Sequence, residues 1–123
     1  MAETILIRTF PSYLDETSRP EQAQYHFAYI IEIENQGAAT VQLLERYWRI
    51  TDANNQKSEV QGPGVVGEQP HIAPGETYRY QSSVVIKTPL GFMEGSYTFQ
   101  GEAGELFDIG IPIFSLAAPN LIH

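Results

Sequence analysis

The alternation of residues over Tyr25–Asn35 constrains this chain more than any other feature. Tyr25, Phe27, Tyr29, Ile31 and Ile33 share one parity, and His26, Ala28, Ile30, Glu32 and Glu34 share the other. Side chains alternate across a β-strand, so this pattern predicts one strand with the first set in the core and most of the second facing water. Asn35-Gln36-Gly37 ends it with turn chemistry.

The same period recurs along the chain. A strand over 41–51 carries Leu44, Trp48 and Ile50 on one face. Arg46 shares their phase, so either a bulge resets the strand or Arg46 lies at the open edge of the core. Asp52-Ala53-Asn54-Asn55 reads as a turn into a short returning strand over 56–61. Thr77–Ile86 places Tyr78 and Tyr80 together. After a turn at Thr88-Pro89-Leu90-Gly91, residues Met93, Gly95, Tyr97 and Phe99 alternate against Glu94, Ser96, Thr98 and Gln100. A hairpin loop at 101–104 leads to a last strand with Phe107, Ile109, Ile111 and Ile113 inward. A first strand near 4–14 carries Ile5, Leu6, Ile7 and Phe10. No helix is expected. About seven to eight strands at short intervals predict an all-β, antiparallel β-sandwich of immunoglobulin-like, fibronectin type III-like form, with Trp48 in its centre. The 123 residues suit one domain, 1–123.

Segment 62–75 interrupts the pattern with four glycines and three prolines. It predicts an ordered loop, with Ala73-Pro74-Gly75-Glu76 as a turn. Gly62-Pro63-Gly64-Val65-Val66-Gly67 has the form of a phosphate-binding glycine motif, which works when a helix N-terminus follows it. Here Glu68, Gln69 and Pro70 follow, no lysine succeeds the last glycine, and Glu68 would repel a phosphate. Glycines that permit positive φ in a crossing loop are the plainer reading. Because binding residues concentrate on loops carried by a rigid scaffold, Gly62, Gly64, Gly67, Glu68, Gln69, Pro70 and His71 are the candidate binding residues. Replacing Glu68 and Gln69 by alanine is expected to leave folding intact and weaken a partner.

Other chemistries find little support. Cysteine is absent, which removes disulfides, thiolate metal sites and thiol nucleophiles together. The histidines His26, His71 and His123 are far apart, and no metal-ligand spacing links them. Glu102, Glu105 and Asp108 read as a solvated acidic edge sooner than a loose cation site. Ser96 lacks the surroundings of a nucleophile elbow, and nothing places two carboxylates across a cleft. No metal, no cofactor and no catalytic residue is therefore expected, and the chain is not expected to be an enzyme. Fifteen acidic residues against seven basic ones give a net charge of −8, which speaks against nucleic acid. No run approaches the roughly 20 apolar residues of a spanning helix, and the residues from Met1 to Thr4 lack the charge and apolar stretch of a leader, so no membrane insertion and a cytoplasmic location are expected.

Several long stretches resemble the ApaG family, also called CorD. They are Tyr25-His26-Phe27-Ala28-Tyr29, Glu34-Asn35-Gln36-Gly37, Val41-Gln42-Leu43-Leu44, Trp48-Arg49-Ile50-Thr51-Asp52, the run from Gly62 through Pro70, Ala73-Pro74-Gly75-Glu76, Thr88-Pro89, Met93-Glu94-Gly95-Ser96-Tyr97, and Ile111 through Leu116. Tyr47 stands where the family commonly has histidine, and Pro63 where it commonly has an acidic residue. The resemblance implies a fibronectin type III-like sandwich and a physiological link to cobalt resistance and magnesium efflux. Related domains in F-box proteins and a polymerase-interacting protein look like protein-interaction modules. The expectation is thus a binding or adaptor module with a protein partner. Direct binding of a divalent cation or nucleotide phosphate at the glycine-rich loop is the alternative, and an exposed edge strand leaves a homodimer open.

Overall fold

A computed structural model describes residues 4–119. His123, one of the three histidines, and Met1 to Glu3 lie outside the described residues. The elements are β1 (Ile5–Tyr13), β2 (Tyr25–Asn35), β3 (Val41–Asp52), β4 (Lys57–Pro63), β5 (His71–Ile72), β6 (Thr77–Ile86), β7 (Leu90–Gln100) and β8 (Leu106–Ala117), with a single 3₁₀ turn at Pro20–Gln22. One sheet runs β1-β2-β6 and the other β4-β3-β7-β8, with β5 added to β3. All pairings are antiparallel. This is the expected sandwich.

The inward phase of β2 holds: Phe27, Tyr29, Ile31 and Ile33 are buried and meet Leu43, Trp48, Tyr97, Phe99 and Leu116 from the opposite sheet. Trp48 is central, with ring contacts to Tyr29 at 5.5 Å, Phe114 at 5.9 Å and Tyr97 at 6.3 Å. On the outer face of the first sheet, Arg8 reaches Glu32 and Glu34 at 3.0 Å each, so the outward glutamates of β2 are paired across strands. Ala28 is the exception on that face: it is buried between Ser12 and Ser83 of the flanking strands.

Two bulges correct the expected phases. In β3, Leu43 pairs with Phe99 and Glu45 with Thr98, so Leu44 is an extra residue. Val41 and Leu43 are therefore buried ahead of the bulge, and Trp48 and Ile50 after it, while Leu44 leaves the core face on which it was expected. In β8, Phe114 pairs with Met93 and Ile111 with Gly95, so Pro112 and Ile113 together oppose Glu94. Ile113 turns outward and is 60% exposed, and Phe114 takes the core position expected of it.

Where the sheets meet, β1 packs against β8 and closes one side of the sandwich. The other side lies between the edge strands β4 and β6. The connection from β4 to β5 crosses there.

Candidate functional site

The crossing loop owes its shape to the β3 bulge. An extra residue leaves its backbone groups out of the ladder, and buried carbonyls require donors. The Leu44 carbonyl accepts from the Gly64 amide at 2.7 Å and from Gln69 Nε2 at 2.9 Å. The Leu43 amide donates to the Pro70 carbonyl at 3.0 Å, and Gln42 Nε2 donates to the Gln69 carbonyl at 3.1 Å. Arg46 then crosses to the loop, where its Nη1 donates to the carbonyls of Pro63 at 2.9 Å and Gly64 at 3.1 Å. Of the two alternatives for Arg46, the open edge accounts for it: the bulge precedes it and takes Leu44 out of the core phase, while Arg46 stays in phase with Trp48 and Ile50.

Within the loop, Val65 and Glu68 exchange both backbone hydrogen bonds, at 2.8 and 3.0 Å, around Val66 and Gly67. Val66 at φ +47° and Gly67 at φ +79° have the φ signs of a type I′ turn, which favours Asn-Gly. Valine in this conformation is strained, since its branched Cβ crowds the backbone. Val65 is fully buried beneath the turn, while Val66 is 63% exposed at its tip.

The candidate residues gather in this loop but do different work. Gly62 lies opposite Arg46, and a Cβ there would come within 3.2 Å of its guanidinium nitrogens. Gly64, at φ +61°, has no room for a side chain against the Glu68 carbonyl. Glu68 Oε1 accepts from the Tyr78 hydroxyl at 2.7 Å, tying the loop to β6. Burial, the bond to Glu68 and its charge push the Tyr78 pKa up to about 12. Gln69 is the second donor to the Leu44 carbonyl, beside the Gly64 amide. Glu68 and Gln69 therefore fasten the loop, and alanine at both would remove these two bonds. His71 lies exposed in β5 beside Gln42.

The glycine motif leads into a turn and not into a helix, and the amides of Gly64, Val65 and Glu68 are spent on backbone carbonyls. The three acidic residues near the last hairpin accept from separate donors: Glu102 from the Thr40 amide, Glu105 from the Ala103 amide and Asp108 from the Thr98 hydroxyl. Among the described residues, no three His, Cys, Asp or Glu side chains converge on a metal-sized space.

Beside the loop tip a pocket of about 240 Å³ opens between the sheets, with Tyr29, Arg46, Trp48, Val66, Tyr80 and Ser82 in its wall. The Tyr80 and Tyr97 hydroxyls hydrogen-bond to each other below it. Burial raises both above the ordinary tyrosine range. Burial also raises Tyr29, opposed by a hydrogen bond from Ser82 and by the charge of Arg46. All three stay protonated at neutral pH. Arg46, Tyr29, Tyr80 and Val66 were not among the candidate residues. The one trace of them in the sequence is Arg46, a charged residue in the phase of a buried strand.

A family model described as the ApaG domain matches residues 15–101. The chain belongs to the ApaG family. Protein ApaG of Citrobacter koseri is 52% identical over 97% of this chain and 95% of its own length. Protein ApaG of Salmonella arizonae is 51% identical over the same shares. The crystal structure of the ApaA protein from Bordetella pertussis superposes with a TM-score of 0.91 at 44% identity, covering 94% of each chain. A stretch of Bacteroides uniformis β-glucuronidase 2 equal to 15% of that chain matches with a TM-score of 0.52 at 14% identity, and shows the sandwich fold alone. The ApaG model spans the whole bulge-and-loop assembly from β2 to the end of β7. No described helix is long and apolar enough to cross a membrane.

Proposed function

We propose that the chain is a non-enzymatic adaptor that docks a protein partner in the cytoplasm through the 62–71 loop. Through that partner it acts in the cobalt resistance and magnesium efflux that the ApaG resemblance implies. Val66 is the observation that supports the reading. A branched apolar residue is held 63% exposed at positive φ on the tip of a tight turn. Such strain persists only where the surroundings over-determine it, and it clusters at functional sites. A loop already fixed in one conformation loses little entropy when it binds.

Val66→Asn tests this. Asparagine suits the turn and removes the apolar tip, so it is expected to raise stability by about 1 kcal/mol. At the same time it should abolish capture of the partner from native lysate. Val85→Asn, at an exposed valine on β6, is the control. A partner recovered equally by wild type and Val66→Asn would refute the loop as the docking surface. Calorimetric titration with Mg²⁺ and Co²⁺ should be silent at millimolar metal, and a saturable isotherm would replace the adaptor by direct cation binding.

A further inference from the structure

We infer that the pocket beside the loop takes a single carboxylate, carried by an acidic residue of a polypeptide and gripped by the free edge of the Arg46 guanidinium. The inference deepens the adaptor reading and rests on it for the polypeptide. The pocket itself is argued from its own residues.

Arg46 is set up as a fixed cation. Its Nη1 is committed to two loop carbonyls, which orients the plane of the guanidinium. The glycine at position 62 leaves the space in which that plane lies, since a Cβ would press on both Nη atoms at 3.2 Å. Nε and Nη2 have no hydrogen-bond partner among the described residues. Arg8, Arg49 and Arg79 each reach a glutamate, whereas Arg46, like Arg19 outside the pocket, is within 4.0 Å of no carboxylate among the described residues. In a chain with fifteen acidic residues and seven basic ones, an arginine kept from pairing while its other side is anchored presents an unused fork. Nε and one Nη of a guanidinium match the two oxygens of a carboxylate.

The rest of the wall agrees with such a guest. Tyr29, Tyr80 and Ser82 supply hydroxyls. Trp48 and Val66 supply apolar surface for the stem of the acidic residue. At about 240 Å³ the space falls below the roughly 300–1,000 Å³ of pockets that enclose whole small ligands, and suits one side-chain group. A phosphate dianion is a poorer guest. The amides of Gly64, Val65 and Glu68 are spent on backbone carbonyls, no lysine lines the wall, and Glu68 follows directly on the pocket residue Gly67.

The test is a side-chain NMR titration of the wild-type protein, which needs no variant to fold. The probes are N-acetyl-aspartate N-methylamide, its asparagine counterpart and inorganic phosphate. The expected result is a saturable shift of the Arg46 Nε–Hε signal and of the Val66 and Gly67 amides with the aspartyl probe. Binding should be at least about tenfold weaker with the neutral probe, the factor expected of a charge-assisted pair. Arg46→Lys keeps the charge and discards the fork, and should weaken the aspartyl probe about tenfold. Equal response to the asparagine probe, tighter binding of phosphate, or an Arg46 signal that does not move would each overturn the inference. The two readings fail separately. An aspartyl probe that binds Arg46 upholds the pocket even if partner capture ignores Val66. Partner capture that depends on Val66, with Arg46 silent to the probe, overturns the pocket and leaves the adaptor.

Discussion

Gly64→Ala, measured against Gly67→Ala, separates a loop that is merely turned from one that is pinned. Both glycines have positive φ, at +61° and +79°. Alanine in that region costs about 1–2 kcal/mol, of which about 0.5–1 kcal/mol is returned because the unfolded chain loses freedom. A Cβ on Gly67 meets nothing within 4 Å, so Gly67→Ala should cost about 1 kcal/mol in total. A Cβ on Gly64 would overlap the Glu68 carbonyl oxygen, come within 2.9 Å of the carbonyl carbon and lie 3.1 Å from Gln69 Cγ. Most of that obstacle is backbone, so it cannot swing aside as a surface side chain would. Relief requires opening the Val65–Glu68 pair or lifting the Gly64 amide from Leu44. Each is a hydrogen bond worth about 1 kcal/mol, and the buried Gly64 amide, left without its acceptor, adds a similar desolvation penalty. Gly64→Ala should therefore cost about 3–4 kcal/mol, some 2–3 more than Gly67→Ala. Urea denaturation of both variants with linear extrapolation reads the difference directly, provided the m-values agree. A difference below about 1 kcal/mol would show that the loop gives way easily, and the rigidity on which the adaptor reading depends would fall with it.

Two further outcomes follow from the same hydrogen-bond scheme. Asn35 is 1% exposed, donates to the Ala39 and Ile72 carbonyls at 2.8 and 2.9 Å, and accepts from the Gly37 amide at 2.9 Å, so Asn35→Ala should destabilise the fold by about 3 kcal/mol in urea unfolding. Tyr78 is protonated more tightly folded than unfolded, so its contribution to stability is complete below pH 10 and is lost as pH rises through about 12. Glu68→Gln removes the neighbouring charge and should move the Tyr78 titration, followed by ¹³C NMR of the ring, down toward the ordinary value. An unmoved titration would show that the Glu68 contact does not persist in solution.

Much of the sandwich was legible because burial on one face enforces period two. The inward residues of β2 and β7 are placed as their alternation requires. What the alternation could not show was where two residues oppose one. A bulge is a property of a strand pair, and neither partner carries it alone. Leu44 and Ile113 were misplaced for that reason. The loop was legible as ordered from its glycines and prolines, but its contacts were not. The bond from Tyr78 to Glu68 joins residues on different elements, and the positive φ of Val66 contradicts the preference of its residue type, so no local rule announces either. Arg46 was the one visible symptom of the site. Its charge in a buried phase required an explanation, and the explanation is the pocket.

The bulge that defeats the alternation is also what builds the site. An extra residue at Leu44 turns a carbonyl out of the ladder. That carbonyl recruits Gly64 and Gln69, which draws the loop across the open edge and lays the Arg46 guanidinium over Gly62. The anchored turn can then hold valine in a conformation that valine disfavours. On the adaptor reading proposed above, stability and recognition are coupled at most positions of the loop. Changes at Gly62, Gly64 or Gln69 should lower both together, because each supports the scaffold that presents the tip. Val66 is where the two part, since relieving its strain should stabilise the protein while it removes the surface offered to a partner. Opposite signs for stability and binding at Val66, with like signs at its neighbours, are what a purely structural loop would not produce.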